Sequence, residues 1–451
     1  MPSDLHSFSP TPGTAAAPVA DKDRILSVDV LRGVAVLGIL LINIPEFSMP
    51  DRYSEAFRSD PSNGSFWVRA FLLVFVEGKM RALFSLLFGA GILLFLSGKN
   101  VSKIKLTSLF CSRMGWLIMF GLADAHLLLW DGDILFFYGV IGMIAFLFRK
   151  MQPRYLAMGI VLVAIAEFAM GIMIRQDIRE KRLDYLEVTK SDENRKERSE
   201  EEQKAIDTWR EIEKEFMPND ADVTENTRIM KSGYVEIAAK IRHAAFLLQT
   251  TYLVYGIWDP LALMLLGMAL LKWRFLQNEW TTGQYKKTMW IGYGLGIPLV
   301  IFEIAYRVKY YPDLPAYLAS LDKAAVEWIN LIYPVQRILI MMAHVSLIML
   351  LVRSGALGGL FRNLAAVGKM ALTNYVLQTV ICTLLFYGYG LNYYAELKYH
   401  QIFYVAAAIC LFECLLSPLW LRHFRFGPLE WLWRSLTYWK LQPLNRKREI
   451  E

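Results

Sequence analysis

Apolar residues fall into long uncharged blocks along this chain, separated by short stretches rich in Lys and Arg. Ten blocks hold most of them, at about 29–48, 80–97, 114–130, 134–148, 155–174, 259–273, 287–305, 328–352, 370–388 and 401–420. A bilayer-crossing helix needs roughly 20 mostly apolar residues. The pattern therefore predicts an all-α, polytopic integral membrane protein with about 10 transmembrane helices. Two further apolar stretches are too short to cross and directly precede a block: SFWVRAFLLVF, 65–75, and AAFLLQTTYLVYGIW, 244–258. They predict two short re-entrant or interfacial helices. Irregular backbone at membrane depth is tolerated where it lines protein or a wet cavity.

The basic residues orient the blocks. Lys99, Lys103, Lys105 and Arg113 mark one loop, and Arg149, Lys150 and Arg154 the next on the same side. Lys272, Arg274, Lys286, Lys287, Arg353, Arg362 and Lys369 follow, then Arg422, Arg425, Lys440, Arg446, Lys447 and Arg448. The excess of Lys and Arg on cytoplasmic loops predicts a bacterial inner (cytoplasmic) membrane protein with both termini cytosolic. The segment from 175 to 243 breaks the pattern. It is dense in Glu, Lys and Arg and predicts a charged helical insert outside the membrane, since long loops translocate largely regardless of charge. The expected organisation is a disordered cytosolic tail at 1–23, a membrane half of five helices at 24–174, the insert at 175–243, a second five-helix half at 244–425 and a basic cytosolic tail at 426–451.

Composition sharpens this only slightly. Hydrophobic residues make up 55% of the chain, above the 45–50% usual for soluble domains. The net charge of +7 punctuates apolar blocks and forms no basic face, so nucleic acid is not an expected partner. Cys111, Cys382, Cys410 and Cys414 have neither zinc-ligand spacing nor a secreted disulfide framework, and no metal is expected. No P-loop, HExxH or GxSxG motif is present.

Ionisable residues inside apolar blocks cost at least about 2.5–3.5 kcal/mol each on insertion scales, so they are the best functional clues. Asp29 and Arg32 open the first block three residues apart, with Asn43 further along the same helix. Arg32 is read either as a topology-setting charge paired with Asp29 or as a fork for phosphate or carboxylate. Glu77, Lys79 and Arg81 stand at the head of the second block, where Glu77 and Arg81 are spaced to pair along a helix. Asp124, His126, Asp131 and Asp133 cluster at the end of the third block. A histidine with nearby acids is a candidate general base. Asp259, Arg337, His344, Asn374 and Gln378 are scattered over later blocks, either bonding helix to helix or lining one cavity.

Several stretches carry a family resemblance. SVDVLRGVAVLGILLIN, KMRALFSLLFGAGI, RMGWLIMFGLADAHLLLWDGDIL, MLLGMALLKWRF, VGKMALTNYVLQT and FGPLEWLWRSLTYWK resemble the YeiB family, from about Asp23 to Lys440. That family is similar to the transmembrane acyltransferases, which resemble the heparan glucosaminide acetyltransferase and the bacterial sugar O-acyltransferases. The resemblance implies acyl-CoA, acetyl-CoA first, as donor and a small envelope or exported molecule as acceptor. It implies Asp29 and Arg32 at the cytosolic mouth; in an acyl-transfer reading the nearby basic groups Lys79 and Arg81 join Arg32 in holding the CoA phosphates. Asn43 stands where the O-acyltransferase pattern has its essential histidine. On chemistry, His126 takes the role of base here, oriented by Asp124, Asp131 or Asp133, with Asn43 or Asn374 stabilising an oxyanion. The competing reading is a secondary transporter of a small anionic or zwitterionic solute, built on intramembrane charges and broken segments. A third is a non-catalytic membrane component that presents the charged insert to an envelope partner. The expected partners are membrane lipid and a small-molecule acceptor or solute, and a homo-oligomer is left open.

Overall fold

Each apolar block folds as a helix, and helices carry almost all of the ordered backbone. The computed structural model describes residues 25–50, 64–97, 102–190, 199–216, 219–311 and 314–446. The expected tail at 1–23 and the basic residues Lys99, Lys447 and Arg448 lie outside the described residues. Among the described residues there is no strand, only one isolated bridge between Phe424 and Asn445.

The first half contains α1 (Leu26–Ser48), α2 (Gly64–Phe75), α3 (Lys79–Leu96), α4 (Lys103–His126), α5 (Leu135–Leu147) and α6 (Pro153–Lys190). Three polar helices follow: α7 (Glu200–Phe216), α8 (Asp220–Met230) and α9 (Tyr234–Gln249). The second half contains α10 (Leu253–Gly256), α11 (Trp258–Lys272), α12 (Thr282–Tyr310), α13 (Leu314–Lys323) and α14 (Ile332–Ser354). It ends with α15 (Gly358–Lys369), α16 (Ala371–Phe386), α17 (Tyr399–His423) and α18 (Pro428–Tyr438). Among the described residues, eight helical runs are long and apolar enough to cross a membrane, and nine if α15 and α16, bent by 81°, count as one. The expected block at 134–148 becomes the 13-residue α5, shorter than the roughly 20 residues a crossing needs.

The chain alternates between two ends. The insert end holds α7–α9, the starts of α2 and α17 and the ends of α1 and α4. The basic end holds α18, the end of α11 and the start of α12. There Lys272 donates to the Arg149 carbonyl at 2.9 Å, and Arg353 donates to the Asn278 carbonyl at 2.6 Å.

Two helix crossings position everything else. At α3–α11, a Cβ on Gly89 would strike the Met264 backbone, and one on Gly267 the Leu86 backbone. At α1–α15, Gly33 lies against the Leu364 carbonyl and Gly368 against that of Asp29. Small residues let backbones approach this closely without a hydrophobic driving force.

Two expected boundaries fall inside helices. α6 runs unbroken for 38 residues, through the composition change at 175. No Gly or Pro follows Gly171 in it, and Glu, Lys and Arg are good helix formers, so a change from apolar to charged does not end a helix. α9 likewise runs across 243. The stretch 244–258 is split between the end of α9 and the one-turn α10, with a turn at Thr250–Tyr252. By contrast, 65–75 is a short helix of its own, α2.

Candidate functional site

The site is built on the break between α2 and α3. The turn Val76–Gly78 interrupts a 33-residue apolar run. Gly78 has φ of +73°, a backbone conformation open chiefly to glycine. A Cβ there would also press on Arg337 Cδ at 3.1 Å. The broken end of α2 leaves carbonyls to be satisfied. Lys79 Nζ donates to the Leu73 carbonyl at 2.6 Å, and His344 Nε2 donates to that of Phe75 at 2.8 Å. His344 Nδ1 then accepts from the Tyr293 hydroxyl at 2.7 Å, so both ring nitrogens are occupied.

The break also redirects the charges. Glu77 lies before the start of α3, so it does not pair with Arg81 as the spacing suggested. Arg69 donates to it at 2.5 Å instead. Arg81 reaches Asp259 at 3.3 Å. Arg337, 2% exposed, grips the same carboxylate with both terminal nitrogens, Nη1 to Oδ2 at 2.9 Å and Nη2 to Oδ1. Arg337 also lies over the Tyr333 ring at 4.9 Å.

These groups border a cavity of about 970 Å³ between α6 on one side and α12 and α14 on the other. Glu77 and Lys79 line it; Arg81, Asp259, Arg337 and His344 support its wall. Three acids that the sequence reading passed over have clear structural settings, and two of them line this cavity. Glu167 on α6 faces the cavity, within electrostatic reach of Asp259, Arg337 and Arg81, and has no hydrogen-bond or ion-pair partner among the described residues. Glu303 on α12 accepts from Arg307 at 3.0 Å and from Gln336. Glu413 on α17 lies elsewhere. The signal was available: each is an acid inside an apolar block. Arg69 and Glu77 also line a second cavity of about 260 Å³ that reaches Pro45 and Tyr399, so their ion pair stands between the two.

The other predicted residues lie elsewhere. Asp124 and His126, two apart on α4, point to different faces. Asp124 is buried beside Thr379, which donates to it at 3.3 Å, and within electrostatic reach of Asp133. Asp133 also caps α5, accepting from Leu135 and Phe136 at 3.1 and 2.9 Å. Burial pushes the Asp133 carboxyl up to about 6, while those N–H donors and Asp124 restrain the rise. His126 instead bonds Gln249 on α9 at 2.9 Å, and its carbonyl accepts from Arg242 at 2.8 Å. It lines neither cavity. Nor does Asp131, half-buried in the turn after α4, or Asn43, half-buried on α1. The acids therefore do not orient His126 as expected. Asn374 bonds Ser417 at 3.0 Å, and Gln378 bonds Glu413 at 3.0 Å, so both tie α16 to α17.

Arg32 and Asp29, paired at 3.4 Å, sit near Gly91 at the basic end. Ten residues of α3 separate Gly91 from Arg81, about 15 Å of rise. The four residues expected to hold one donor therefore occupy two sites. At the basic end Arg32 and Arg434 stand within electrostatic reach of Arg113. The Arg113 guanidinium stacks 3.5 Å from the Trp433 ring and 5.1 Å from that of Phe95. Trp433 in turn donates to the Arg113 carbonyl at 2.8 Å.

Fold and site define a polytopic, all-α membrane protein with a charged break in one span and a cavity beside it. Residues 270–440 match the family model described as a protein of unknown function, DUF418. The chain is 28% identical over 440 residues to the uncharacterized protein YxaH of Bacillus subtilis, covering 96% of this chain and 99% of the relative. It is 28% identical over 421 residues to the uncharacterized protein YeiB of Escherichia coli, covering 92% and 96% respectively. No solved structure matches. These matches, which run along nearly the whole chain, support the resemblance to the YeiB family.

Proposed function

We propose that the protein transfers an acyl group from cytosolic acyl-CoA, acetyl-CoA foremost, to a small-molecule acceptor on the far side of the bacterial inner membrane. The observation that carries this reading is the pairing of two charged sites at opposite ends of one bundle. The basic end carries the Lys and Arg loops and faces the cytosol by the positive-inside rule, which also puts both described ends of the chain on that side. There Arg32, Arg113 and Arg434 supply planar forks suited to phosphate. The 970 Å³ cavity at the other end holds the acceptor. Glu167 takes the role first given to His126: its unpartnered carboxylate accepts the proton as the acceptor's hydroxyl or amine attacks the thioester carbonyl and CoA leaves as the thiolate. The long arm of CoA bridges the interval between the two sites.

The test is ligand-induced thermal stabilisation of the purified protein with acetyl-CoA and longer acyl-CoAs. A ligand that binds only the folded state stabilises by about 2.7 kcal/mol at a hundredfold excess over its dissociation constant. The expected shift disappears in Arg113→Ala and Arg32→Ala and persists in Glu167→Gln, which loses transfer but not binding. No shift in folded wild-type protein sinks the reading. Transport of a small anionic or zwitterionic solute is the second reading, favoured by the Arg69–Glu77 pair standing between two cavities at a broken span. Uptake of an unmodified solute into proteoliposomes would establish it.

A further inference from the structure

The large cavity is open sideways. On α6, Val161 and Ile165 are each 60% exposed although they line it, and Val335 on the opposite wall is 52% exposed. Its lining on α6 runs from Ile160 to Arg175, fifteen residues or about 22 Å of helix rise. That is close to half of a bilayer about 40–45 Å thick including its headgroups. The chemistry changes along this length. Towards mid-membrane the walls are apolar, with Ile160, Ala164 and Ile165 facing Val300 and Ile338. Towards the insert end they are charged, with Arg175, Arg307 and Glu327. The groove therefore has the length and polarity profile of one lipid leaflet.

The charges narrow the occupant. Four cations line the cavity, Arg69, Lys79, Arg175 and Arg307, and four acids, Glu77, Glu167, Glu303 and Glu327. Arg69 pairs with Glu77 at 2.5 Å, Arg175 with Glu327 at 3.2 Å and Arg307 with Glu303 at 3.0 Å. The two left outside ion pairs have opposite signs. Lys79 spends one of its three N–H groups on the Leu73 carbonyl, and Glu167 has no partner among the described residues. A net anionic headgroup would face as many acids as bases here. A zwitterionic one can set its phosphate towards Lys79 and its ammonium towards Glu167.

We infer that this groove binds a zwitterionic phospholipid with a primary amine, which enters sideways between α6 and the α12–α14 pair. Its acyl chain lies along Ile160–Ile165, and its headgroup lies just beyond them, between Glu167 and Lys79. The inference does not rest on acyl transfer, and its test contains no acyl donor.

Delipidated full-length protein in mild detergent is titrated with chain-labelled fluorescent phosphatidylethanolamine and, separately, with the matching phosphatidylglycerol. The expected result is at least about tenfold tighter binding of the ethanolamine lipid. Glu167→Gln should bring the two affinities together by weakening the ethanolamine lipid. Gly171 lines the groove and faces open space, with nothing within 4 Å of a Cβ built on it. Gly171→Leu therefore fills the groove while raising helix propensity, and should weaken both lipids about tenfold or more. Val161→Trp is the second block, at an already exposed position. Equal or tighter binding of phosphatidylglycerol to the wild type overturns the headgroup assignment. Undiminished binding in a monodisperse Gly171→Leu or Val161→Trp protein overturns the groove itself.

Discussion

At the α2–α3 break Asp259 is buried against two guanidinium groups, whereas Asp124, more deeply buried, meets a hydroxyl and stands within electrostatic reach of a second carboxyl. Glu413 follows the second pattern: fully buried, with an amide from Gln378 and no cation partner among the described residues. The two regions solve the cost of burying charge differently. Opposite charges in contact compensate each other and can stay ionised beside a cavity, where they set a field for a ligand. Acids met only by neutral donors make a hydrogen-bonded web that fixes helices. The contrast marks the first region as the one built to bind and the second as the one built to hold.

The largest effect expected from this contrast is at Arg337. Arg337→Ala leaves Asp259 without its two-pronged partner, and removing one member of a buried pair costs about 3–5 kcal/mol. Denaturation in detergent should show that loss, and pairing Arg337→Met with Asp259→Leu should recover most of it. In the web, Glu413→Ala leaves the Gln378 amide only its long bond to the Val36 carbonyl at 3.5 Å and should cost about 1–3 kcal/mol. Glu413→Gln keeps an acceptor for that amide and should cost under about 1 kcal/mol. If the two substitutions cost the same, the neutral-web description is wrong.

A pH series sharpens the comparison further. The Asp133 value of about 6 lies above that of a free carboxyl, about 3.9, so the folded chain holds this proton more tightly than the unfolded one. Stability from this site is greatest below about pH 4 and declines as the pH rises to about 6. Thermal melts should show that decline, and Asp133→Asn should flatten it. The smallest effect is at His126. His126→Ala loses one bond to Gln249, about 1 kcal/mol or less, and acyl transfer should continue unchanged.

Much of the architecture was legible because apolar blocks and Lys/Arg loops are set by the membrane itself, one residue at a time. Every block became a helix, and the short helix at 65–75 was visible from its length. The site was less legible, because side-chain partners in a bundle come from distant helices. Asp259 and Arg337 were both singled out, but 78 residues separate them and no spacing rule joins them. The local rule that joined Glu77 to Arg81 failed for one residue, Gly78, whose left-handed backbone ends the helical register between them. Asp124 and His126 looked like a unit by proximity in sequence, yet two residues on a helix is half a turn, which sets them on opposite faces. The boundary at 175 was placed on composition, and composition does not bend a helix.

That uninterrupted helix has a mechanical consequence. The 38 residues of α6 make a rod about 57 Å long, nearly twice the roughly 30 Å hydrocarbon thickness. One arm carries Glu167 and Gly171 along the groove. The other extends beyond it, where Arg175 and Arg182 fasten it to Glu327, just before α14, and to Asp322 of α13 at 3.2 and 2.7 Å. Torque applied to the outer arm of α6 is therefore delivered to the groove wall along one continuous helix.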